Sequence, residues 1–278
     1  MESLKEAVYS RELHITELMN IGFQLFCKNI KTILLGVLWL GLPISLLLTI
    51  IQFRLMGFYD ILAMSPTQLA AIPTAQLLEQ MQQVLIYQLL AMAIDVFLVP
   101  IFIIGVAKAT KWRLEGKEKG YRSVFADAML FEPTLVKVGI VYLICIVLGA
   151  FLFFPFVYLS VIWCFYIFCI GLGKRKGLDA LGHSHMLVRG RWWKTLGYIF
   201  MMILATVLGN MLFNFIFRSL LYVVPNHDIA IFVVNICYTC TSYFVHGLYV
   251  SMMAVFFLNR ESGLFGMQAL QEEKSTIE

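Results

Sequence analysis

The chain has 278 residues, of which 60% are hydrophobic and only 14% are charged, against roughly 25% charged residues in soluble domains. With a mean hydropathy of +0.83 and a net charge of +4, a water-soluble fold lacks enough polar surface to cover its apolar residues, and a disordered chain would leave them all exposed. The composition therefore predicts an all-α polytopic membrane protein, a single integral membrane domain over residues 1–278 with no room for an ordinary catalytic domain.

Long apolar runs predict six transmembrane helices in chain order. The runs cover about 33–53, 84–107, 135–152, 155–172, 195–217 and 229–257. Pro43 interrupts the first run, and Pro100 lies inside the second. The long stretch from 135 to 172 is enough for two crossings, and Gly149 and Pro155 supply the turn between two short helices.

The distribution of basic residues predicts the orientation of these spans. With the N-terminus in the cytoplasm, the inner segments hold 19 of the 21 Lys and Arg residues, and the outer segments hold only Arg54 and Arg218. We therefore expect a multi-pass protein of the cell membrane with both termini in the cytoplasm, and outer loops near 54–83 and 218–228.

The cysteines and the first 30 residues fit the same expectation. All six cysteines lie in or beside apolar runs, which indicates buried thiols rather than a secreted disulfide scaffold. The first 30 residues are rich in charge and contain neither a continuous apolar core nor a cleavage pattern. We therefore expect the first span itself to insert the chain.

An internal repeat precedes every second span. Amphipathic helices are predicted at about 14–29, 121–132 and 178–190, each with an apolar stripe at helical spacing. Each stretch ends at a breaker or cap residue and is followed by a lysine: Asn29 with Lys31, Pro133 with Lys137, and Gly190 with Lys194. The chain is thus predicted to form three hairpins, each preceded by an interfacial helix that lies apolar face down on the membrane.

Two interpretations of these amphipathic helices remain open. They are elbows that only set helix angles, or they form a surface that binds lipid or docks a partner. In the second interpretation, basic and aromatic residues contact anionic lipids of the inner leaflet. The residues concerned are Lys31, Lys137, Arg189, Arg191, Trp192, Trp193 and Lys194. The expected partners are the lipid bilayer, its anionic inner-leaflet lipids and another membrane protein, and not nucleic acid.

Three segments and one proline resemble those of a known family. The stretch from Ala180 to Lys194 (ALGHSHMLVRGRWWK) resembles a small-polar helix followed by a basic-Gly-basic-aromatic turn into a span, as in the membrane-domain family of bacterial glycerophosphoryl diester phosphodiesterases. The stretch from Ile21 to Asn29 resembles the first interfacial helix of that family, and Pro43 lies where it tends to carry a proline. The stretch from Arg260 to Gly263 is similar to its Arg-x-Glu-Gly ending, although the order here differs. The resemblance implies a six-span helical membrane domain without catalytic residues.

Sequence motifs for known chemistry are absent. The chain has no His-Glu-x-x-His, no Gly-x-Ser-x-Gly and no Walker A motif, and a phosphodiesterase barrel of about 250 residues would not fit beside the spans. The chain is therefore expected not to be an enzyme and to need neither a cofactor nor a metal.

Asp95 is the one carboxylate deep within a predicted span. An unpaired charge there costs several kcal/mol, so the residue is expected to be protonated or to accept hydrogen bonds from span five or six. His246, Asn210 and Asn214 are the candidate partners. Two functions follow: a non-enzymatic scaffold or accessory subunit that acts through its basic inner face and interacts with lipid, or a transporter or lipid-handling permease with Asp95 in a mid-membrane site.

Overall fold

The computed structural model describes residues 2–62, 64–65, 72–150, 152–223 and 228–277, and the described elements are all helical. The helices at the N-terminal end are α1 (Glu2–Ser10), α2 (Ile15–Lys28), α3 (Ile30–Gly36), a π-helical segment (Val37–Gly41) and α4 (Leu42–Leu62). The middle of the chain forms α5 (Thr74–Phe97), α6 (Val99–Leu114), α7 (Tyr121–Met129), α8 (Glu132–Ala150), α9 (Phe153–Ile162) and α10 (Tyr166–Gly171). The last three are α11 (Asp179–Val188), α12 (Trp192–Val223) and α13 (Asp228–Ile277).

Several helices in the described ranges are long and apolar enough to cross a membrane. Five segments qualify: Ile30–Leu55, Thr74–Leu114, Phe154–Gly171, Trp192–Ser219 and Ile229–Leu264. A sixth qualifies only as a broken pair, in which Tyr121–Met129 and Pro133–Ile146 meet at an angle of 62°. The all-α polytopic class is therefore confirmed, with five or six spans by length and composition.

Breaks interrupt the spans where the sequence carries proline. The π-helical segment Val37–Gly41 lies directly before Pro43, because a proline that cannot donate to the preceding turn is accommodated by a wider one. The second span breaks at Leu98, and Pro100 lies in the first turn of the helix that follows. Helix α8 ends at Ala150, one residue after Gly149, and α9 begins at Phe153, so the predicted break is present close to Gly149 and Pro155 lies in the first turn of α9.

The two connections that are predicted to lie outside are shorter than expected. Helix α4 continues to Leu62 and α5 begins at Thr74, so much of the expected loop at 54–83 is helical. Pro73 starts α5, and no breaker follows until Pro100, so the apolar residues before the predicted span simply extend the helix. At the expected 218–228 loop, α12 runs to Val223 and α13 begins at Asp228. Residues 63, 66–71 and 224–227 lie outside the described ranges.

The three predicted amphipathic helices are present as α2, α7 and α11, and much of each apolar stripe packs against the protein's own spans. In α2, a Cβ at Gly22 would lie 2.6 Å from Cγ of Met252 in α13. In α11, the Ser184 hydroxyl donates to the Ile162 carbonyl at 2.9 Å and accepts from the Phe165 N–H at 3.1 Å. The stripes of α2 and α7 are therefore largely buried against the protein's own spans, which corrects the expectation that they lie apolar face down on the membrane. In α11, Leu181 and Val188 are buried in the same way, whereas Leu178 and His185 are exposed.

Helix α7 gives the tightest of these contacts. Its Phe125 is buried, and its ring rests on two glycines: a Cβ at Gly36 or at Gly105 would lie 2.3 Å from the ring. The Phe102 ring stacks on it, with centroids 6.3 Å apart. Phe125 thus joins α7 to the first span through α3 and to the second through α6.

Candidate functional site

Polar contacts link the segments that carry the predicted inner basic residues. Arg113, at the end of the second span, donates from Nη2 to the Lys28 carbonyl at 3.0 Å and from Nε to Asn29 Oδ1 at 3.3 Å. Lys108 Nζ donates to the Asp127 carbonyl at 3.1 Å. The ends of α2 and α6 therefore meet at one end of the bundle, as an even number of crossings between them requires.

At the same end, the segment 11–14 between α1 and α2 docks on α13; we call it the docked loop. Asn259 Nδ2 donates to the carbonyls of Val8 and Arg11, both at 2.7 Å. Its Oδ1 accepts from the Leu13 N–H at 3.2 Å, and the Tyr198 hydroxyl donates to the Leu13 carbonyl at 3.3 Å. Buried Asn259 therefore satisfies three backbone groups and fixes the path of the docked loop.

The docked loop presents Glu12 to three cations from two other elements. Glu12 Oε2 lies 3.0 Å from Arg191 Nη1, and Oε1 lies 2.9 Å from both Lys194 Nζ and Arg260 Nη1. Burial raises the pKa of Glu12, but the hydrogen bond from Lys194 and the charges of Arg260, Arg191 and Lys194 outweigh that effect. Its pKa lies below the ordinary value, so Glu12 is ionised at neutral pH.

A cavity of about 300 Å³ opens beside this ion-pair network, and we call it the basic cavity. Its polar lining consists of Tyr9, Ser10, Arg11, Glu12, Arg189, Arg191, Asn259, Arg260 and Ser262. The volume is at the lower end of the range of about 300–1,000 Å³ for small-molecule pockets. The side chain of Arg260 is only 4% exposed, so its charge acts in a poorly solvated environment.

A second, apolar cavity of about 470 Å³ lies at the start of α12, and we call it the aromatic groove. It is lined by Phe154, Val157, Tyr158, Trp192, Trp193 and Leu196. Trp193 is 77% exposed and meets Trp192 edge to face, with ring centroids 4.7 Å apart. Trp192 also stacks on Tyr158. An exposed tryptophan at the start of an apolar helix, as Trp193 is here, is typical of a membrane–water interface.

The structure brings together five of the seven residues predicted to contact the inner leaflet. Arg189 and Arg191 line the basic cavity, Lys194 bonds to Glu12, and Trp192 and Trp193 line the aromatic groove. The other two do not join this cluster in any described contact: Lys31 and Lys137 are exposed on α3 and α8.

Sequence reasoning missed Glu12 and Asn259, and it identified Arg260 only through the family resemblance. The available signal was the pair Asn259–Arg260 directly after an apolar run, because two adjacent polar side chains at the end of a span require partners. Glu12 carried no signal of its own, since it stands among other charged residues near the N-terminus.

The predicted polar residues of the membrane interior do not form one site. Asp95 is exposed on α5, and its carboxylate interacts electrostatically with Tyr243 of α13. The described contacts give Asp95 no hydrogen bond, so the expected bonds from span five or six are not observed. His246 lies beside Tyr249, with ring centroids 5.5 Å apart.

Asn210 and Asn214 face a different cleft, of about 610 Å³, between α12 and α13. Arg218 and Tyr238 line the same cleft. On α13, Tyr238 and Val245 face α12, whereas Tyr243 is two positions before Val245 and points roughly to the opposite side. The two asparagines are therefore separated from Asp95 by the body of α13, which corrects their assignment as its partners.

Asp95→Asn tests whether the isolated carboxylate is functional. Because the described contacts give it no hydrogen bond to lose, we expect the variant to fold normally and to keep its activity. The measurement is thermal unfolding of the purified variant, together with rescue of a deletion strain. A variant that unfolds like the wild type but fails to rescue would contradict this expectation.

The described residues contain no group of three or more His, Cys, Asp or Glu side chains arranged to share a metal ion. Comparison of the chain with protein-family models, curated proteins and solved structures finds no match.

Proposed function

We propose that the chain is a non-enzymatic integral membrane protein that acts as a scaffold or accessory subunit, and that its basic end binds anionic lipids of the cytoplasmic leaflet. The observation that carries this proposal is the basic cavity. Arg191, Lys194 and Arg260 surround a single carboxylate, Glu12, beside this cavity. Arg11 and Arg189 also line it. This leaves an excess of positive charge beside the exposed Trp193.

Electrostatics supports a lipid role for this end. A Lys or Arg near an anionic membrane surface contributes roughly 1 kcal/mol of attraction. Three exposed basic residues, Arg189, Arg191 and Lys194, lie within six positions beside Trp193. The same non-catalytic role is implied by the resemblance to the membrane domain of glycerophosphoryl diester phosphodiesterases, which we retain as part of the proposal.

The test uses purified protein in nanodiscs of phosphatidylcholine with and without phosphatidylglycerol. We expect a higher Tm when phosphatidylglycerol is present, because a lipid that binds only the folded state stabilises it. We also expect the difference to shrink at 1 M salt, where the screening length is about 3 Å. Equal Tm values in the two lipids at low salt would contradict the proposal.

The orientation that this function requires is tested by cysteine labelling. In a variant without the six native cysteines, we expect Lys117→Cys to react with a membrane-impermeant reagent only after the cells are permeabilised, since most basic residues lie inside. Ser65→Cys is expected to react in intact cells. Labelling of position 117 from outside would contradict the orientation and, with it, access to the cytoplasmic leaflet.

A second candidate function is a transporter or lipid-handling permease centred on Asp95. Helix breaks near this residue favour it. The second span breaks at Leu98, three residues after Asp95, and a Cβ at Gly41 in the π-helical segment would lie 3.5 Å from Cβ of Tyr243. Broken helices near a polar residue are typical of transporter sites. The Asp95→Asn experiment distinguishes the two functions, because Asn cannot titrate.

A further inference from the structure

The side chain of Arg260 has hydrogen-bonding capacity that its neighbours do not use. Nη1 donates to Glu12, and the guanidinium lies over the Phe256 ring, 5.3 Å from its centroid. In the part of the chain that the structure describes, Nε and Nη2 are buried and have no acceptor. Buried charged donors rarely remain unpaired. The Arg260 side chain is only 4% exposed and lines a cavity, so we expect an acceptor from outside the chain to bind it there.

The charges around the basic cavity favour an anion as that acceptor. Glu12 is already shared among Arg191, Lys194 and Arg260. The other acidic groups nearby are turned to other partners: Glu17 pairs with Arg11, and Glu261 lies 3.7 Å from His183. Arg189 lines the cavity without an ion pair in the described contacts. The first N–H groups of α12 add positive potential at the same place.

The aromatic groove lies on the other side of the first turn of α12. Arg191 and Lys194 are on the side of the helix that faces Glu12, whereas Trp192, Trp193 and Leu196 are on the side that faces α9. Only the helix end, about 10 Å across, separates the groove from the cavity. The groove is apolar and suits a hydrocarbon chain.

We infer that the two cavities form one binding site for a single anionic phospholipid. The phosphate accepts hydrogen bonds from the unpaired N–H groups of Arg260 and from Arg189. The glycerol and the first carbons of one acyl chain pass around the N-terminal end of α12, and the rest of that chain occupies the groove beside Trp193. Free phosphate is also an anion, but it leaves the groove empty. This inference rests on the proposed function and adds a defined binding site to it. A general attraction between basic residues and the membrane surface would need no such site.

The experiment counts phospholipids bound to the purified protein by native mass spectrometry, with phosphatidylglycerol, phosphatidylcholine or inorganic phosphate added to the detergent solution. The variants are Arg189→Gln, which removes a cavity charge, and Trp193→Ala, which opens the groove. Each has a matched control: Lys31→Gln removes an exposed charge outside the cluster, and Phe200→Ala removes an exposed ring of α12 outside the groove. All four side chains are exposed, so folding is not expected to change.

We expect one phosphatidylglycerol to bind preferentially, and its affinity to fall about tenfold in Arg189→Gln, as for the loss of a charged hydrogen bond, and about fivefold in Trp193→Ala. Both controls should bind as the wild type does. Equal losses in Arg189→Gln and Lys31→Gln, with no loss in Trp193→Ala, would overturn the defined site and leave the proposed function intact. No preference for phosphatidylglycerol would overturn both. Full displacement of the lipid by millimolar phosphate would overturn the assignment to a phospholipid.

Discussion

Replacing Glu12 with alanine is expected to destabilise the protein by about 2 kcal/mol. The variant leaves buried Arg260 without its counter-charge, and removing one partner of a buried ion pair costs roughly 3–5 kcal/mol. The expected effect is smaller because the Glu12 side chain is 38% exposed and water partly solvates the site. Thermal unfolding in detergent measures the effect.

The matched control is Glu118→Ala, which removes a carboxylate that pairs with Arg113 but is 77% exposed. We expect a loss of about 0–1 kcal/mol, as for other surface ion pairs. An equal loss of unfolding free energy in the two variants would show that Glu12 is an ordinary surface residue and does not stabilise the docked loop.

The pH dependence of stability gives the same test a second readout. The pKa of Glu12 is lowered in the folded protein. The stability that ionised Glu12 contributes is therefore complete above pH 4.5, its ordinary pKa, and is lost as the pH falls through the lower pKa of the folded protein. We expect this part of the acid destabilisation to be missing in Glu12→Ala. An unchanged slope of stability against pH would contradict the ion-pair assignment.

Phe125→Ala is expected to have the largest effect on stability, a loss of about 3–5 kcal/mol. The ring is buried and fills the space above Gly36 and Gly105, and truncation of a buried phenylalanine leaves a cavity that the backbone cannot close. The control is Met129→Ala on the same helix, whose side chain is 40% exposed and whose loss should cost far less. Equal unfolding temperatures for the two variants would contradict the conclusion that Phe125 joins α7 to the first two spans.

The spans and amphipathic helices could be predicted because their signals are local. Apolar runs that are long enough to cross a bilayer predict spans. Apolar residues at helical spacing predict the amphipathic helices α2, α7 and α11. The contacts of the apolar stripes could not be predicted, because they depend on residues far away in the sequence. Phe125 meets Gly36 and Gly105 through tertiary packing, so the expected contact with lipid was wrong although the helix was correctly predicted.

The candidate site was predictable only in part, for a related reason. Arg189 to Lys194 form a continuous segment, and its basic and aromatic character stands out in the sequence. Glu12 and Arg260 are 248 positions apart, and only the docking of the first loop on the last span makes them partners. Likewise, Asn210 was assigned to Asp95 by depth in the membrane, whereas helix rotation directs it to another cleft.

On the proposed function, the basic end, and not Asp95, is the surface through which this protein acts. The most direct measurement is quantification of the lipids and proteins that co-purify in mild detergent from the producing cells, for the wild type, for Arg189→Gln combined with Arg191→Gln, and for Asp95→Asn. We predict that anionic phospholipids are enriched over the bulk membrane in the wild type and in Asp95→Asn, and that the double variant loses this enrichment. A wild-type lipid profile equal to that of the bulk membrane, or a loss of enrichment in Asp95→Asn alone, would contradict the account.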